Sequence, residues 1–251
     1  MLCYTSIFVA MGKVSVSITI PAFNEETTIV AVFQQAKTVV SRITNNYEIV
    51  LINDGSTDRT GAIMDRLKKR HARHVEVVHH RSNRGFSGAM KSCYNSATKE
   101  LIFLGPADGQ FDYRELPLFV RVIHNRDIVV AYRSHNQERW YRKFNSFIFH
   151  GLMRTLLGIR LRELSSCIMY RRHVRDAVAI SADDFSCLFL PELIYKSMKK
   201  RYNIGQVPIH FYRRAGGSQK GTNPKMILRT VTEIIRFWFD MNIRPRPIPH
   251  V

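Results

Sequence analysis

Glu48-Ile-Val-Leu-Ile-Asn-Asp-Gly-Ser-Thr-Asp-Arg-Thr60, EIVLINDGSTDRT in one-letter form, is the stretch whose reading decides the fold. Tyr47 to Ile52 is short, apolar and β-branched, and reads as a strand. Asn53 to Asp58 has the composition of a turn. Thr57 to about His71 then sets Ile63, Met64 and Leu67 on one side of a helix. The same strand–turn–helix unit recurs on either side. Upstream, Val14 to Ile20 alternates apolar and polar residues as a strand that Pro21 ends, and a helix from about Glu25 carries Ile29, Val32, Phe33, Ala36, Val39, Val40 and Ile43 on one face. Downstream, Val75 to His79 is a strand, Gly85 to Ala97 a helix of small residues, and Leu101 to Leu104 a buried strand. Strands alternating with helices at this spacing imply an α/β fold: a central, mostly parallel sheet with helices on both faces.

Beyond Asp112 the pattern loosens. A helix over Pro117 to Ile123, a strand over Asp127 to Tyr132, a basic and aromatic helix over Arg139 to Leu157 and a strand over Cys167 to Tyr170 are predicted. A helix over Pro191 to Lys200, with Pro in its first turn, and a strand over Gln206 to Tyr212 follow. A Gly-rich basic loop then leads to an apolar and basic helix over Met226 to Phe239. The 251 residues divide into an extension (1–13), one α/β domain (14–225), and a closing amphipathic helix with a Pro-rich tail (226–251).

Charge is the outlier in the composition: 38 Lys and Arg stand against 20 Asp and Glu, a formal net of +18. Such an excess reads either as a solvated basic surface or as a match to an anionic partner: nucleic acid, anionic lipid or a phosphorylated substrate. No zinc-finger, helix-turn-helix or RNA-recognition pattern is present, which argues against nucleic acid. Cys3, Cys93, Cys167 and Cys187 lack metal-ligand or redox spacing and read as free thiols. No run reaches the roughly 18–20 apolar residues of a membrane span, so the chain is expected to be soluble or peripheral to a membrane.

Open parallel sheets bind ligands beyond the carboxyl ends of their strands. Here those ends carry Asn24 and Glu25, then Asn53 to Asp58, then Pro106 to Gln110, then Tyr132 and Arg133. Each turn alone is ordinary turn or cap chemistry, but three on neighbouring strands point to a site. The motifs IPAFNEE (20–26), EIVLINDGSTDRT (48–60), NRGFSGAMKSCYNSA (83–97), ADGQFD (107–112) and DIVVAYR (127–133), in this order, resemble the family 2 glycosyltransferases of Rossmann-like GT-A fold. Within them the likeness is greatest to the dolichyl-phosphate mannose synthase group and its bacterial polyprenyl-phosphate relatives.

The resemblance implies a role for each matching position. Pro21, Phe23 and Glu25 line a nucleotide pocket, and Ile52 and Asp54 contact the base. Asp108 binds Mg²⁺ or Mn²⁺ at the diphosphate of a nucleotide-diphosphate sugar, flanked by Ala107 and Gln110, and Arg133 meets phosphate. Arg142 and Ser146 hold the acceptor phosphate. Arg214, Gly217 and Lys220 close over the diphosphate; a shifted register with Arg213, Gly216 and Ser218 is equally open, and the whole segment also reads as a solvated basic loop. Pro106 departs from the family, which usually has an Asp there, and a non-catalytic nucleotide-sugar binder is the corresponding alternative.

Two acceptors are compatible with this reading. A hydroxyl acceptor needs a general base. Glu192 stands where hydroxyl-acceptor relatives place a carboxylate, and equally where a helix dipole favours one. A polyprenyl phosphate needs cations instead, and Arg133, Arg139, Arg142, Lys143, Arg154, Arg160, Arg162, Arg171 and Arg172, interleaved with aromatics, supply them. The same stretch also reads as an amphipathic core helix. The closing helix, with Ile227, Val231, Ile234, Ile235 and Trp238 on one face, lies in a membrane interface or packs on the sheet. The lipid reading places the protein at the cytoplasmic face of a membrane, with room for a membrane-anchoring partner protein.

Overall fold

Strand β1 (Val16–Ala22) runs parallel to β2 (Tyr47–Asn53) on one side and to β4 (Leu101–Leu104) on the other. The computed structural model describes residues 14–134, 149, 151–212 and 224–243, the side chains of 224–230 excepted. Val16, Ile18 and Ile20 are fully enclosed on one face of β1, and Ser17 and Thr19 are equally enclosed on the other. A strand covered on both faces is normally apolar throughout. The two hydroxyls are tolerated because both are bonded: Ser17 donates to Glu48 at 2.6 Å and accepts from the Lys99 amide, and Thr19 donates to the Phe103 carbonyl.

With β3 (Val75–His79), β5 (Ile128–Arg133), β6 (Ile168–Arg171) and β7 (Ile204–Ile209), the sheet has the order β3-β2-β1-β4-β6-β5-β7. β6 alone is antiparallel to its neighbours. The chain builds outward from β1 to β3, then returns to lay β4 on the opposite side of β1. The strand order thus reverses between β1 and β4, the place where open α/β sheets form a crevice.

The helices are α1 (Ile29–Ile43), α2 (Thr60–Arg70), α3 (Gly85–Ser96), α4 (Leu116–Ile123), α5 (Arg172–Ala177), α6 (Phe189–Lys199) and α7 (Pro224–Asn242), and residues 151–157 are also helical. α1, α2 and α4 pack with Ile18, Ile49 and Phe103 on one face of the sheet. α3, α6, α7 and residues of 151–157 pack with Val50, Ile102 and Tyr170 on the other. In α7, Ile234 and Phe237 are buried, and Phe237 meets Tyr195 of α6 edge to face at 5.5 Å. This helix therefore docks on the α/β core. Ile235, read from the sequence as part of the same apolar face, is 49% exposed. Among the described residues no helix is long and apolar enough to cross a membrane.

Several predicted boundaries move for local reasons. β1 continues through Pro21, which pairs with Ile52. Thr19 turns its carbonyl to Gly105 on the β4 side, and Pro21 faces that side beyond the last β1–β4 pair, so its missing N–H costs no ladder bond. α1 starts at Ile29 because Glu25 to Thr28 forms a turn, with the Thr28 and Ile29 amides both on the Glu25 carbonyl. α6 starts two residues ahead of Pro191, which stays in the first turn where amides lack helical partners anyway. β7 ends at Ile209, and Phe211 makes only an isolated bridge to Phe111. α5 buries only Val174, too little to leave an apolar period in the sequence.

Phe103 on β4 lies at the centre of one core, fully buried, with Phe111, Tyr113 and Phe119 around it at 4.9 to 6.0 Å. Phe103→Ala is expected to destabilise the fold by about 3–5 kcal/mol through lost transfer energy and the cavity left behind. Leu118→Ala, on the exposed side of α4, is expected to stay within about 0.5 kcal/mol. Urea unfolding of both variants measures the contrast.

Candidate active site

The turns after β1 and β2 are fastened to each other. Asn24 adopts a left-handed backbone (φ 56°), which Asn tolerates better than most residues. Its amide donates to Ser56 Oγ at 3.0 Å, and its Oδ1 accepts the Thr57 amide at 2.8 Å. The Glu25 amide donates to Thr60 Oγ1, the Glu26 amide to Asp58, and the Arg59 amide and guanidinium to Glu26. The Asp54 amide closes the ladder on the Ala22 carbonyl. Burial pushes the Asp58 carboxyl up, but hydrogen bonds from Thr60 and the Glu26 amide outweigh it and hold the group below its ordinary range.

Asp54 fastens the next turn. Its carboxylate lies 2.7 Å from His80 Nδ1 and accepts the Asn83 side-chain amide and the Arg84 backbone amide, both at 2.9 Å. His80 Nε2 lies 2.8 Å from Ser92 Oγ on α3. Ser, His and Asp in this chain have the composition of a nucleophilic triad. The His80 and Asp54 side chains are only 6% and 5% exposed, however, and the chain serves as an anchor for the segment entering α3. Gly55 (φ +68°) is required here, because an added Cβ would sit 2.4 Å from the Ser82 carbonyl carbon. Arg84 in turn reaches Asp184, which Lys91 also engages. Burial pushes Asp184 up, and these two cations more than reverse it.

The turn after β4 lies against the first. Gly109 is nearest Thr28, whose hydroxyl donates to the Glu25 carboxylate at 3.0 Å. Asp108 is half-buried, and its Oδ1 accepts the Gln110 amide at 3.0 Å. Gln110 exchanges two hydrogen bonds with the backbone of Tyr212, which ties this turn to the exit of β7. At the end of β5, Arg133 pairs with Glu163 at 3.1 Å, with its guanidinium 4.6 Å over the Phe211 ring. Burial drives the Cys167 thiol far above its ordinary range, against a smaller opposing effect of its Ser165 hydrogen bond. Glu25, Asp54 and Asp108 thus stand at the carboxyl edge of the sheet beside the switch between β1 and β4, and Arg133 ends β5 on the same edge, two strands from β4.

The family profile described as Glycosyl transferase family 2 matches residues 17–178, which span all of these turns. The chain belongs to glycosyl transferase family 2. Among curated relatives, it is 26% identical over 214 residues to an undecaprenyl-phosphate 4-deoxy-4-formamido-L-arabinose transferase of Enterobacter sp. (strain 638), and equally to that of Sodalis glossinidius (strain morsitans). Each alignment covers 84% of this chain and 64% of the relative, so the chain spans just under two thirds of their length. Among solved structures, glucosyl-3-phosphoglycerate synthase from Mycobacterium tuberculosis in complex with phosphoglyceric acid superposes with a TM-score of 0.70 at 16% identity, over 92% of this chain and 82% of that one. The same enzyme with Mn²⁺, UDP-glucose and phosphoglyceric acid gives 0.69 at 16%, over the same shares. The fold is GT-A.

Within this family 2 chain, three positions read from the sequence need correction. Ile52 is fully enclosed in the core beside Met90 and Cys93, since strand alternation turns it toward α3, so its side chain does not meet a base. Asp54 is at the edge, but its carboxylate is committed to His80, Asn83 and Arg84. Glu192 is fully buried in α6; it accepts the amides of Ser181 and Ala182 and the Ser181 hydroxyl, and it pairs with Lys196. With both oxygens engaged and no exposed surface, this carboxylate staples the 181–182 segment and is closed to an acceptor from solvent. The Ala107 side chain is buried, whereas Pro21 and Phe23 are half-exposed at the edge. Arg142, Ser146, Arg213, Arg214, Gly216, Gly217, Ser218 and Lys220 lie outside the described residues. The structure adds His80, Asn83, Arg84, Asp184 and Glu163. Asn83 and Arg84 stand within a family motif, but Glu163 lies 30 residues from Arg133 with nothing in the sequence to link them.

No three His, Cys, Asp or Glu side chains gather to hold a metal ion among the described residues. Of the carboxylates at the edge, Glu26, Asp54, Asp58 and Asp112 each engage several donors. Asp108 takes one amide and keeps its second oxygen open. One open carboxylate fits a hard cation that draws its remaining ligands from phosphate oxygens and water. It does not fit a cage built by protein alone.

Asp58, Asp112 and Asp184 all sit below the usual carboxylate range, Asp112 because Arg114 outweighs the effect of burial. A depressed folded-state pKa contributes stability that is complete above the unfolded value, about 3.9, and drains as pH falls through the folded value. Urea midpoints are therefore expected to drop below about pH 4. Asp184→Asn is expected to flatten that acid limb while lowering the midpoint at neutral pH.

Proposed function

We propose that this chain transfers a sugar from a nucleotide-diphosphate sugar to a polyprenyl phosphate, with inversion at the anomeric carbon. The observation that carries the reading is that the Glu25, Asp54 and Asp108 turns adjoin at the sheet's switch point, with Arg133 on the same carboxyl edge and Asp108 offering an open oxygen. The donor's base and ribose lie along Pro21 and Phe23, over the turn that Asp54 fixes through Asn83 and Arg84. Gln110 and Ala107 shape the floor beside Asp108. When bound there, Mg²⁺ or Mn²⁺ supplies charge stabilisation to the departing diphosphate. Arg133, stacked over Phe211 and oriented by Glu163, adds a charge-assisted donor toward phosphate.

The acceptor assignment rests on two points. Glu192 is closed off, and a phosphate acceptor needs no base, because its oxygen is already anionic. That oxygen bonds to the anomeric carbon as the bond to the donor's β-phosphate oxygen breaks, and the nucleoside diphosphate leaves. The relatives named above are undecaprenyl-phosphate transferases, which favours a lipid phosphate. Arg142 and Ser146 would hold it, and Arg214 with Lys220 would close over the diphosphate. On this reading residues 14–225 form the catalytic domain, peripheral at the cytoplasmic face of a membrane.

Incubation with a panel of radiolabelled nucleotide sugars, undecaprenyl phosphate and Mg²⁺ or Mn²⁺ should yield labelled lipid; label on a soluble hydroxyl acceptor alone would refute the acceptor. Asp108→Asn is expected to lower transfer roughly a hundredfold or more, with the fold intact. Glu192→Gln is expected to behave differently. Breaking its buried pair with Lys196 should cost about 3–5 kcal/mol in stability, while the folded fraction keeps most of its turnover. Thermal unfolding measured beside kcat separates the two effects.

A further inference from the structure

At the opposite edge of the sheet, where β2 and β3 begin, a cavity of about 270 Å³ opens between α1, the end of α2 and the segment entering β3. Lys37, Arg70, His71, Arg73 and His74 line it, and among the described residues no carboxylate does. The nearby Glu76 is engaged by Lys68 at 2.7 Å. Lys37 Nζ lies 3.3 Å from His71 Nδ1, so that nitrogen accepts and the ring's proton sits on Nε2. His74 Nδ1 lies 3.0 Å from the Tyr47 carbonyl, which can only accept, and its ring stacks on Tyr47 at 4.2 Å. Burial first, then Lys37 and Arg70, hold the His71 imidazole below its ordinary range. The negative end of the α2 dipole accounts for Arg70. It does not account for Lys37, which comes from another helix, or for Arg73 and His74 beyond the helix end.

We propose that this cavity is a second anion site, built for a phosphate or diphosphate group, free or on a lipid headgroup. Its volume is below the roughly 300–1,000 Å³ of pockets that enclose whole drug-sized ligands, which suits a small anion and not a nucleotide sugar. It lies about 20 Å from the Asp54 turn, the length of β2, and does not depend on the reaction proposed above.

Imidazole NMR of the full chain, titrated with inorganic pyrophosphate without divalent cation, reads the site directly. The His71 and His74 signals are expected to shift saturably at millimolar concentration or below, and His80 reports separately on the other edge. Lys37→Gln with Arg73→Gln should weaken that titration roughly tenfold or more, since each removes a charge-assisted donor. A thermal midpoint shows that the double variant folds, and Arg70→Gln on the exposed helix end repeats the test if it does not. Co-flotation with phosphatidylglycerol against phosphatidylcholine vesicles distinguishes the sources. Flotation lost in the double variant supports a lipid headgroup; flotation unchanged while pyrophosphate binding weakens supports a free anion. No saturable shift of His71 and His74, or a shift undiminished in the variants, overturns the site.

Discussion

One buried carboxylate holds the candidate site in register. Asp54 gathers an imidazole from the end of β3, a side-chain amide from the loop beyond it and the backbone amide that leads into α3. At 3% exposure it is a charge that water cannot solvate, and three donors replace that hydration. Removing any one leaves the others to support an under-satisfied anion, so the β2 turn, the β3–α3 loop and the start of α3 hold or fail together. Gly55 belongs to the same constraint, since only a residue without Cβ lets the β2 turn approach Ser82.

The architecture was legible in the sequence wherever a period repeated. Strand β1 follows from alternation, β2 to β5 from short apolar runs and the apolar face of α1 from 3.6-residue spacing, and the turns Asn24–Glu26, Asn53–Asp58 and Pro106–Gln110 from their chemistry. Two kinds of information were missing. One is burial of polar residues: Ser17 and Thr19 in β1 are enclosed because Glu48 and Phe103 answer them, and such partners are remote in sequence. The other is orientation. Ile52 and Asp54 are two residues apart at a strand end, yet one points into the core and the other into a loop. Glu192 offered two readings, a base or a helix-start carboxylate, and only the fold brings Ser181, Ala182 and Lys196 to its oxygens.

Carboxylate accounting along the edge explains why Pro106 is compatible with a site. Asp58 takes the amides of Thr60 and Glu26, Asp112 takes Arg114 and Gln35, and Glu26 takes Arg59. These acids fix turns and helix starts. Among the described residues Asp108 and Glu26 combine partial exposure with an open oxygen; Glu26 is held by Arg59, whereas Asp108 takes only the Gln110 amide, and the Pro106 carbonyl, on Tyr113 Oη at 3.2 Å, holds the backbone that presents it. Proline stiffens the approach to Asp108 where a second acid would add charge. The arrangement relies on the donor diphosphate for the rest of a cation's ligands.

The two edges of the sheet therefore differ in kind. In a parallel α/β layer the helix starts gather at the carboxyl edge and the helix ends at the amino edge. No acid occurs in the first turns of α1, α2 and α3, so their partial positive charge is met from outside: Asp58 bonds the first amide of α2, and Asp54 the amide preceding α3. Arg42 lies in the last turn of α1, and Lys68, Lys69 and Arg70 in that of α2, where the dipole favours cations. The formal excess of +18 is thus not spread evenly in its effect. At the carboxyl edge cations such as Arg84 and Arg133 are paired with acids and oriented by them. At the amino edge Lys37, Arg73 and the two histidines face a cavity that no acid lines, and an anion from outside the chain is the group that would complete it.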